Sequence, residues 1–578
     1  MRRLLVASLV VSLVSAGPSA LAAKYFEEVP GALASASDWT NYLRLADLDS
    51  DGDLDLVVPN CGGFFANPSP EPFRLYLNDG KAGFTEAAAR LGGPFEAAIR
   101  VVEVADVDGD GDDDLFAPSA DGTLDRLFVN DGSGSFTNEA ATRIGSASRS
   151  AGARFFDADG DGDVDLFVAA GYAASEPVVG RLYLNDGEGV FAEALSGVPT
   201  SGPKDVDDVD AFDADGDGDL DLLLTSHGGM PALWLNSGDA SFSDATGKLA
   251  LASGGQGYKY GPTPCDVDGD GDLDLWIDNS GPNYTEALLI NDGKGSFADE
   301  TSARVSGNPG ADDNGVVCAD VDLDGDFDAI VVSLSDVERV LVNDGAGHFA
   351  NAGGFPAIGD SSLWLDVGDL DGDGRLDAVT GQGESGKFTN RVYRGVGENL
   401  VDTRAPVVTT PVLPTSVAKD ERLAVRFRVM DRVLVDAGPR VKAFLEVSVD
   451  GGAATTVPAR FVGGDWFHAE LAVSEGGSVA VVACATDMHG NKGCAASVLV
   501  TGPGSSTSAG GGGGGATTSS GQGGFAATGA GGGGGAELSD ESSCAVVSPG
   551  RRDSGAGALL ALLAVLATGR RRKRLRSR

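Results

Sequence analysis

DADGDGDVD, at residues 157–165, sets five carboxylates on alternate positions within nine residues, with glycine at the sixth. Like charges at this spacing repel one another unless a hard cation lies among them. Oxygen ligands from positions 1, 3 and 5, a backbone carbonyl at 7 and a carboxylate at the end describe a calcium loop. Glycine at position 6 permits the sharp turn that wraps such a loop round an ion. The loop ends at position 9, short of the twelve residues of an EF-hand. Its flanks, ARFF before and LFVA after, read as strands rather than helices.

The pattern occurs seven times, at spacings of 49–59 residues. The first copy holds Asp47, Asp49, Asp51, Asp53 and Asp55; the second Asp106, Asp108, Asp110, Asp112 and Asp114. The third holds Asp157, Asp159, Asp161, Asp163 and Asp165; the fourth Asp213, Asp215, Asp217, Asp219 and Asp221. The fifth holds Asp266, Asp268, Asp270, Asp272 and Asp274; the sixth Asp320, Asp322, Asp324, Asp326 and Asp328. The seventh holds Asp369, Asp371, Asp373, Arg375 and Asp377, with Arg375 at position 7, where a backbone oxygen is expected. All of these are candidate metal residues, for up to seven Ca2+ ions. The loops contain 35 of the 86 acidic residues in a chain of net charge −44. A solvated acidic surface explains scattered acids but not a fixed nine-residue pattern. So negative a chain argues against nucleic acid, whose phosphates need Lys and Arg.

A second motif lies between the loops. NDGKAGF starts at Asn78, NDGSGSF at Asn130, NDGEGVF at Asn185, NSGDASF at Asn236, NDGKGSF at Asn291 and NDGAGHF at Asn343. Each follows a short apolar run, and Asn-Asp-Gly between such runs is a hairpin turn, because Gly and Asn tolerate positive φ. One repeat therefore reads as strand, calcium loop, strand, variable connection, strand, NDG turn and a strand opening on Phe. Four strands in about 50 residues is one β-propeller blade. The last repeat, Ser361 to Val396, has no fourth strand, whereas Tyr25–Val29 (YFEEV) is an orphan strand ahead of the first loop. That strand is expected to complete the last blade and close the ring, which leaves no open sheet edge.

Seven DxDxDGxxD loops on this period resemble the FG-GAP/VCBS repeats of the integrin α-chain N-terminal propeller and its bacterial relatives, over about residues 24–400. The resemblance implies a seven-bladed β-propeller with calcium in the hairpin between the first two strands of a blade. It also implies ligand binding by loops, usually on the face away from the calcium. Integrin propellers usually carry fewer such loops, and filling all seven points to a bacterial secreted scaffold.

The flanking segments have other roles. Arg2 and Arg3, apolar Leu4–Val14 and the small-residue site Ala20-Leu21-Ala22 read as an export signal over 1–22. After a linker at 402–406, residues 405–501 alternate in short runs such as LAVRFRV and SVAVVACATD, the pattern of a β-sandwich. ACATDMHGNKGCAAS resembles the last hairpin of bacterial Ig-like domains, with Cys484 and Cys494 positioned to bridge. The fold class is thus all-β: a seven-bladed β-propeller followed by a small Ig-like β-sandwich. Residues 502–537 are a Gly-rich tether with a reach of about 30–35 Å. In 538–578 stand Cys544, an apolar run 555–568 and RRRKRLRSR. This resembles a C-terminal sorting tail, although Arg551 and Arg552 interrupt the spacing from Cys544; a plain membrane anchor and an inert tail are the alternatives. The membrane is met through this tail only.

Chemistry-bearing patterns are sparse. His227, His348, His468 and His489 are scattered, no GxSxG elbow appears, and GQGESGKF from Gly381 departs from a phosphate loop at Phe388. Cys265 and Cys318 are open between buried small residues and a bridged pair, and Cys61 has no evident partner. No catalytic residue is assigned, and the chain is read as a non-enzyme. The expected function is an exported, surface-anchored adhesion or ligand-binding protein that meets a surface polysaccharide or protein. A lectin-like or carbohydrate-active propeller and a passive structural protein are the alternatives. Candidate contact loops are 59–73 with Phe64, Phe65 and Phe73, 170–179 with Tyr172, and 278–287 with Tyr284; aromatics there either stack on sugars or pack between blades.

Overall fold

A computed structural model describes residues 25–502, apart from 34–36, 64–67, 146–149, 172–178, 204–205, 227–228, 252–259, 280–283, 360, 384–385, 418–421, 434–437 and 474–476. The described residues fall within one compact unit. The export signal, nearly all of the Gly-rich tether and the tail with Cys544 lie outside the described residues, as do Phe64, Phe65 and Tyr172.

Each acidic nonapeptide ends on an Asp that opens a strand. Asp165–Ala170, Asp221–Ser226, Asp328–Ser333 and Asp377–Gln382 are buried along their whole length. A short, unbroken apolar run suits a strand covered on both faces. Such strands are the second members of seven successive antiparallel sheets. In the third sheet, Ser150–Phe156, Asp165–Ala170, Gly180–Asn185 and Phe191–Glu193 follow in order, each paired with the next. The acidic loop joins strands one and two, and the NDG turn joins three and four. Short strands Leu249–Ala250 and Val305–Ser306 add in parallel outside the fifth and sixth sheets.

The seventh sheet takes its outer strand from the other end of the chain. Phe26–Glu28 pairs antiparallel with Arg391–Gly395, with Phe26 opposite Gly395. Phe26 is fully buried and stacks on Phe355 at 4.3 Å. The first strands of successive sheets touch in a closed cycle, from Arg44–Ala46 round to Ser362–Gly368 and back. Apolar cores lie between neighbouring sheets, and that between the seventh and first contains Leu56 and Val379.

Cys265 ends the first strand of the fifth sheet and Cys318 stands one residue before the end of that of the sixth; their Cα atoms are 6.5 Å apart and they form a disulfide. This decides between the two readings left open for them. Cys61 is buried with a free thiol. The NDG turns differ in one respect from the φ argument. Their glycines have positive φ, for example 74° at Gly132 and 80° at Gly187, but their asparagines do not. Asn must therefore serve another purpose there.

Residues 407–501 form two further sheets around one apolar core. Arg422–Met430 alternates in burial, with Leu423, Val425, Phe427 and Val429 inward and Arg422, Arg426 and Arg428 turned away from that core. Period-two patterning of this kind marks a strand with one core face. Cys484 and Cys494 face each other across paired strands and are bridged. The expected linker at 402–406 is not free. Asp402 is buried and its N–H donates to Gly374 O at 2.6 Å.

Candidate metal centres

The acidic loops share one hydrogen-bond plan, from which the sixth departs at its first carboxylate, Asp320, which accepts from Arg404 instead. The position-1 carboxylate folds back on backbone N–H groups of its own loop. Asp106 Oδ1 accepts from Gly109 N at 2.7 Å and its Oδ2 from Gly111 N at 3.1 Å. The position-5 carboxylate caps position 7, as Asp110 Oδ1 does for Asp112 N at 3.1 Å. Glycine at position 6 has φ between 87° and 113° in every loop. Position 4 is left-handed too, and there Ser50 (59°) and Leu323 (56°) stand where the other loops have Gly. An L residue there stores strain.

Carboxylate oxygens converge at positions 1, 3 and 9. Those of Asp106, Asp108 and Asp114 lie within 4.8 Å of one another, as do those of Asp157, Asp159 and Asp165 and of Asp213, Asp215 and Asp221. In the first loop Asp47, Asp49 and Asp51 converge in the same way. Many of these oxygens are buried without a hydrogen-bond partner: Oδ1 of Asp47, Asp49, Asp108, Asp215, Asp268, Asp320 and Asp322, and Oδ2 of Asp157. A buried carboxylate oxygen without a donor is costly. The donor set is all hard oxygen, which suits Ca2+. In five loops the position-7 side chain turns toward the hairpin. Asp53, Asp112, Asp163, Asp219 and Asp272 pack against the glycine of their own sheet's hairpin, which has no room for a Cβ.

Position 9 is a structural node. Asp165 Oδ2 accepts from Ala158 N at 2.9 Å, closing its own loop, and Oδ1 accepts from Asn185 N at 2.8 Å, tying on the hairpin. The other six loops repeat both bonds, with Gly395 N replacing the Asn N–H in the seventh. Burial pushes these carboxyls up to about 7 (Asp55, Asp274) or about 8 (Asp114, Asp165, Asp221, Asp328, Asp377). The loop therefore resists holding its full negative charge alone.

The hairpin asparagines reach from sheet to sheet. Asn130 Nδ2 donates to Leu48 O, in the preceding sheet's loop, at 2.9 Å, and to Asp113 O, in its own sheet's loop, at 3.0 Å. Asn185, Asn236, Asn291 and Asn343 reach back in the same way, and Asn78 spans the closure to Leu370 O at 3.0 Å. Cations reach in the other direction. Arg143 Nη1 donates to Glu188 O in the next hairpin at 2.6 Å while its Nη2 holds Asp108 at 3.2 Å, and Arg304 repeats this with Ala346 O and Asp268. Neither set was assigned from the sequence, where Asn reads as a turn former.

The second domain covers the loop face. Arg460 pairs with Asp163 at 2.6 Å, and Arg426 lies 3.9 Å from Asp157 and 3.8 Å from Asp219. Arg428 donates to Gly271 O at 3.2 Å, and Arg432 to Asp320 O at 3.1 Å and Gly374 O at 3.3 Å. His489 donates from Nε2 to Asp369 Oδ2 at 2.8 Å. That bond is the main cause raising His489 to about 10, and, against burial, it helps hold Asp369 below the usual carboxylate range. Arg440 enters the mouth of the ring, where it meets Asp366 at 2.5 Å. A cavity of about 930 Å³ remains between the first three loops and the second domain, lined by Asp47, Asp110, Asp161, Lys442, Phe461 and His468.

The candidate contact aromatics divide. Phe73 is buried and stacks on Phe95 at 5.2 Å, so it packs, while Tyr284 is half-buried. In the stretch that approaches a phosphate loop, Lys387 pairs with Glu71 at 2.5 Å. His348 is exposed beside Asp344.

Residues 64–117, 106–168 and 213–277 match the model of the FG-GAP-like repeat family. Those three stretches carry FG-GAP-like repeats. Together with the successive four-stranded sheets they make an all-β fold of β-propeller type. No curated protein matches the chain. Among solved structures, a crystal structure of BBS1N in complex with ARL6DN, soaked with lead, is similar at 11% identity and a TM-score of 0.39, covering 64% of this chain and 97% of that one. Fibronectin(III)-like modules of Clostridium thermocellum CbhA are similar at 18% identity and a TM-score of 0.13, covering 31% and 84%. Escherichia coli alpha-2-macroglobulin activated by porcine elastase is similar at 9% identity and a TM-score of 0.15, covering 81% and 41%.

Proposed function

We propose that this chain is an exported, calcium-binding seven-bladed β-propeller capped by an Ig-like β-sandwich, acting as a surface adhesion or ligand-binding protein. The observation that carries the metal reading is the set of unpartnered, buried carboxylate oxygens at positions 1 and 3 of the loops. Ca2+ would be held by the carboxylates of positions 1, 3 and 5 and tied to position 9, and its charge would offset the repulsion within each loop. Seven consecutive sheets and the closing pair of Phe26–Glu28 with Arg391–Gly395 support seven blades. Two sheets round one core, with a bridged final hairpin, support the Ig-like reading. Export and anchoring rest on the leading apolar segment and on the tail of 538–578.

We read the metal as structural: among the described residues no side chain near the loops is arranged as an acid, base or nucleophile toward an open position. Because Arg426, Arg428, Arg432, Arg460 and His489 occupy the loop face, the ligand is assigned to the opposite face, formed by the connections between second and third strands. The test uses the full chain in millimolar calcium. Its melting temperature is measured before and after chelation, and its retention on immobilised polysaccharides and purified surface proteins is followed together with the release of fragments. A site filled at ten times its Kd contributes about 1.4 kcal/mol, so chelation is expected to lower the melting temperature markedly. An unchanged value rejects the metal reading. Glycan fragments in the eluate make the protein carbohydrate-active instead.

A further inference from the structure

The seven loops are alike in sequence pattern but not in what surrounds their first carboxylate. In loops one to five, among the described residues, no side chain hydrogen-bonds to the position-1 Asp. In loop seven His489 of the second domain donates to Asp369 Oδ2 at 2.8 Å, and its other ring nitrogen lies 3.8 Å from Asp402. Asp373, at position 5 of the same loop, is held by Arg375 Nη1 at 3.0 Å, and Arg375 occupies position 7, where the other six loops have Asp. The backbone oxygen of Gly374 is taken by Asp402 N at 2.6 Å and Arg432 Nη1 at 3.3 Å. Unpartnered buried carboxylate oxygens occur in each of loops one to six, and the described residues of loop seven have none.

Resting on the calcium reading above, we infer that loop seven is a separate, weaker calcium site. There the ion competes with His489, so that filling it loosens the second domain from the propeller. Six loops offer an incoming cation carboxylates that lack partners. The seventh offers carboxylates at positions 1 and 5, Asp369 and Asp373, already held by His489 and Arg375, which calcium must displace. Displacing one hydrogen bond to a charged group corresponds to roughly tenfold to a hundredfold in affinity. By linkage, whatever calcium loses to His489 the domain contact loses to calcium. Arg404, which holds Asp320 Oδ2 at 3.2 Å in loop six, leaves Asp320 Oδ1 unpartnered, so the first carboxylate of loop six still has a free oxygen, whereas both oxygens of Asp369 in loop seven accept hydrogen bonds.

The test is calcium binding by the full chain at fixed pH, followed by equilibrium dialysis, with amide exchange of the turn Asp487–Asn491 as the second readout. The parent is expected to take six ions in one class and a seventh at roughly tenfold to a hundredfold higher calcium. The turn should exchange faster as that last ion binds. In H489A with R375D, which restores the acidic pattern of the other loops, the seventh ion should move into the first class. R422A, whose exposed side chain pairs with Glu470 within the second domain, should change neither reading. Seven ions in a single class in the parent, or a weak class unmoved by the double variant, overturns the inference while leaving the calcium reading intact. No bound ion in any loop overturns both.

Discussion

Asn130 gives the sharpest test of how neighbouring sheets are held together. Its side chain is 4% exposed. Nδ2 donates to Leu48 O at 2.9 Å and to Asp113 O at 3.0 Å, while Oδ1 accepts from Gly134 N at 3.2 Å. N130A removes both donors. The Leu48 carbonyl is then buried without a partner, whereas that of Asp113 lies nearer the surface and recovers water. One unsatisfied buried carbonyl plus two lost bonds sums to about 2–6 kcal/mol. The assay is urea unfolding in millimolar calcium, read by tryptophan fluorescence. Trp234 and Trp276 are fully buried in the fourth and fifth sheets and report loss of the propeller core. N130D separates the staple from the turn. Asp suits such a turn as well as Asn does. It keeps the acceptor to Gly134, but it turns an oxygen toward two carbonyls where Asn has N–H groups. N130D must therefore destabilise at least as much as N130A. An Asp variant within about 0.5 kcal/mol of the parent, the range of neutral surface changes, refutes the staple and leaves only a turn residue.

Other expectations follow from the same contacts. F26A empties a fully buried site in the strand that closes the seventh sheet and should cost about 3–5 kcal/mol, seen as a lower melting temperature and early proteolysis near 391–395. Between the fifth and sixth sheets, Asp278, Glu286 and Asp313 crowd one guanidinium, Arg339, and burial pushes Asp278 and Glu286 well above the usual carboxylate range. An acid raised on folding is protonated in the native state. Its stabilising share is complete below its unfolded pKa of about 4 and is lost as pH rises toward the folded value. E286Q should remove that slope and gain on the parent in melting temperature from pH 5 upward; parallel profiles would contradict it. C265A with C318A opens a loop of 53 residues and should lower stability by about 4 kcal/mol in the chain-entropy account, measured as the shift in urea midpoint against the parent, with Cys484–Cys494 left intact in both.

The repeat was legible in the sequence because its chemistry is local. An acid on every second position and a glycine at the sixth require a loop, and the apolar runs on either side require strands, whatever the tertiary context. What was hidden depends on partners far along the chain. Asn130 reads as a turn former because the carbonyl it serves belongs to Leu48, 82 residues away. The side chains of Arg426 and Arg428 read as the solvent side of an alternating strand, since period two fixes only which face is the core. What covers the other face is decided by charge. The propeller places its acidic loops at one end of the ring, and the outward residues of LAVRFRV are basic. His489 and Arg460 extend that basic surface from other strands and turns of the same domain. An acidic face would otherwise be the obvious contact surface of so negative a chain, yet here its counterpart is supplied in cis. A partner chosen by complementarity to the acidic loops would have to displace five cationic side chains already in place. One that uses the opposite face meets no such competition, which is why the loops are better read as the propeller's internal fastening than as its contact surface.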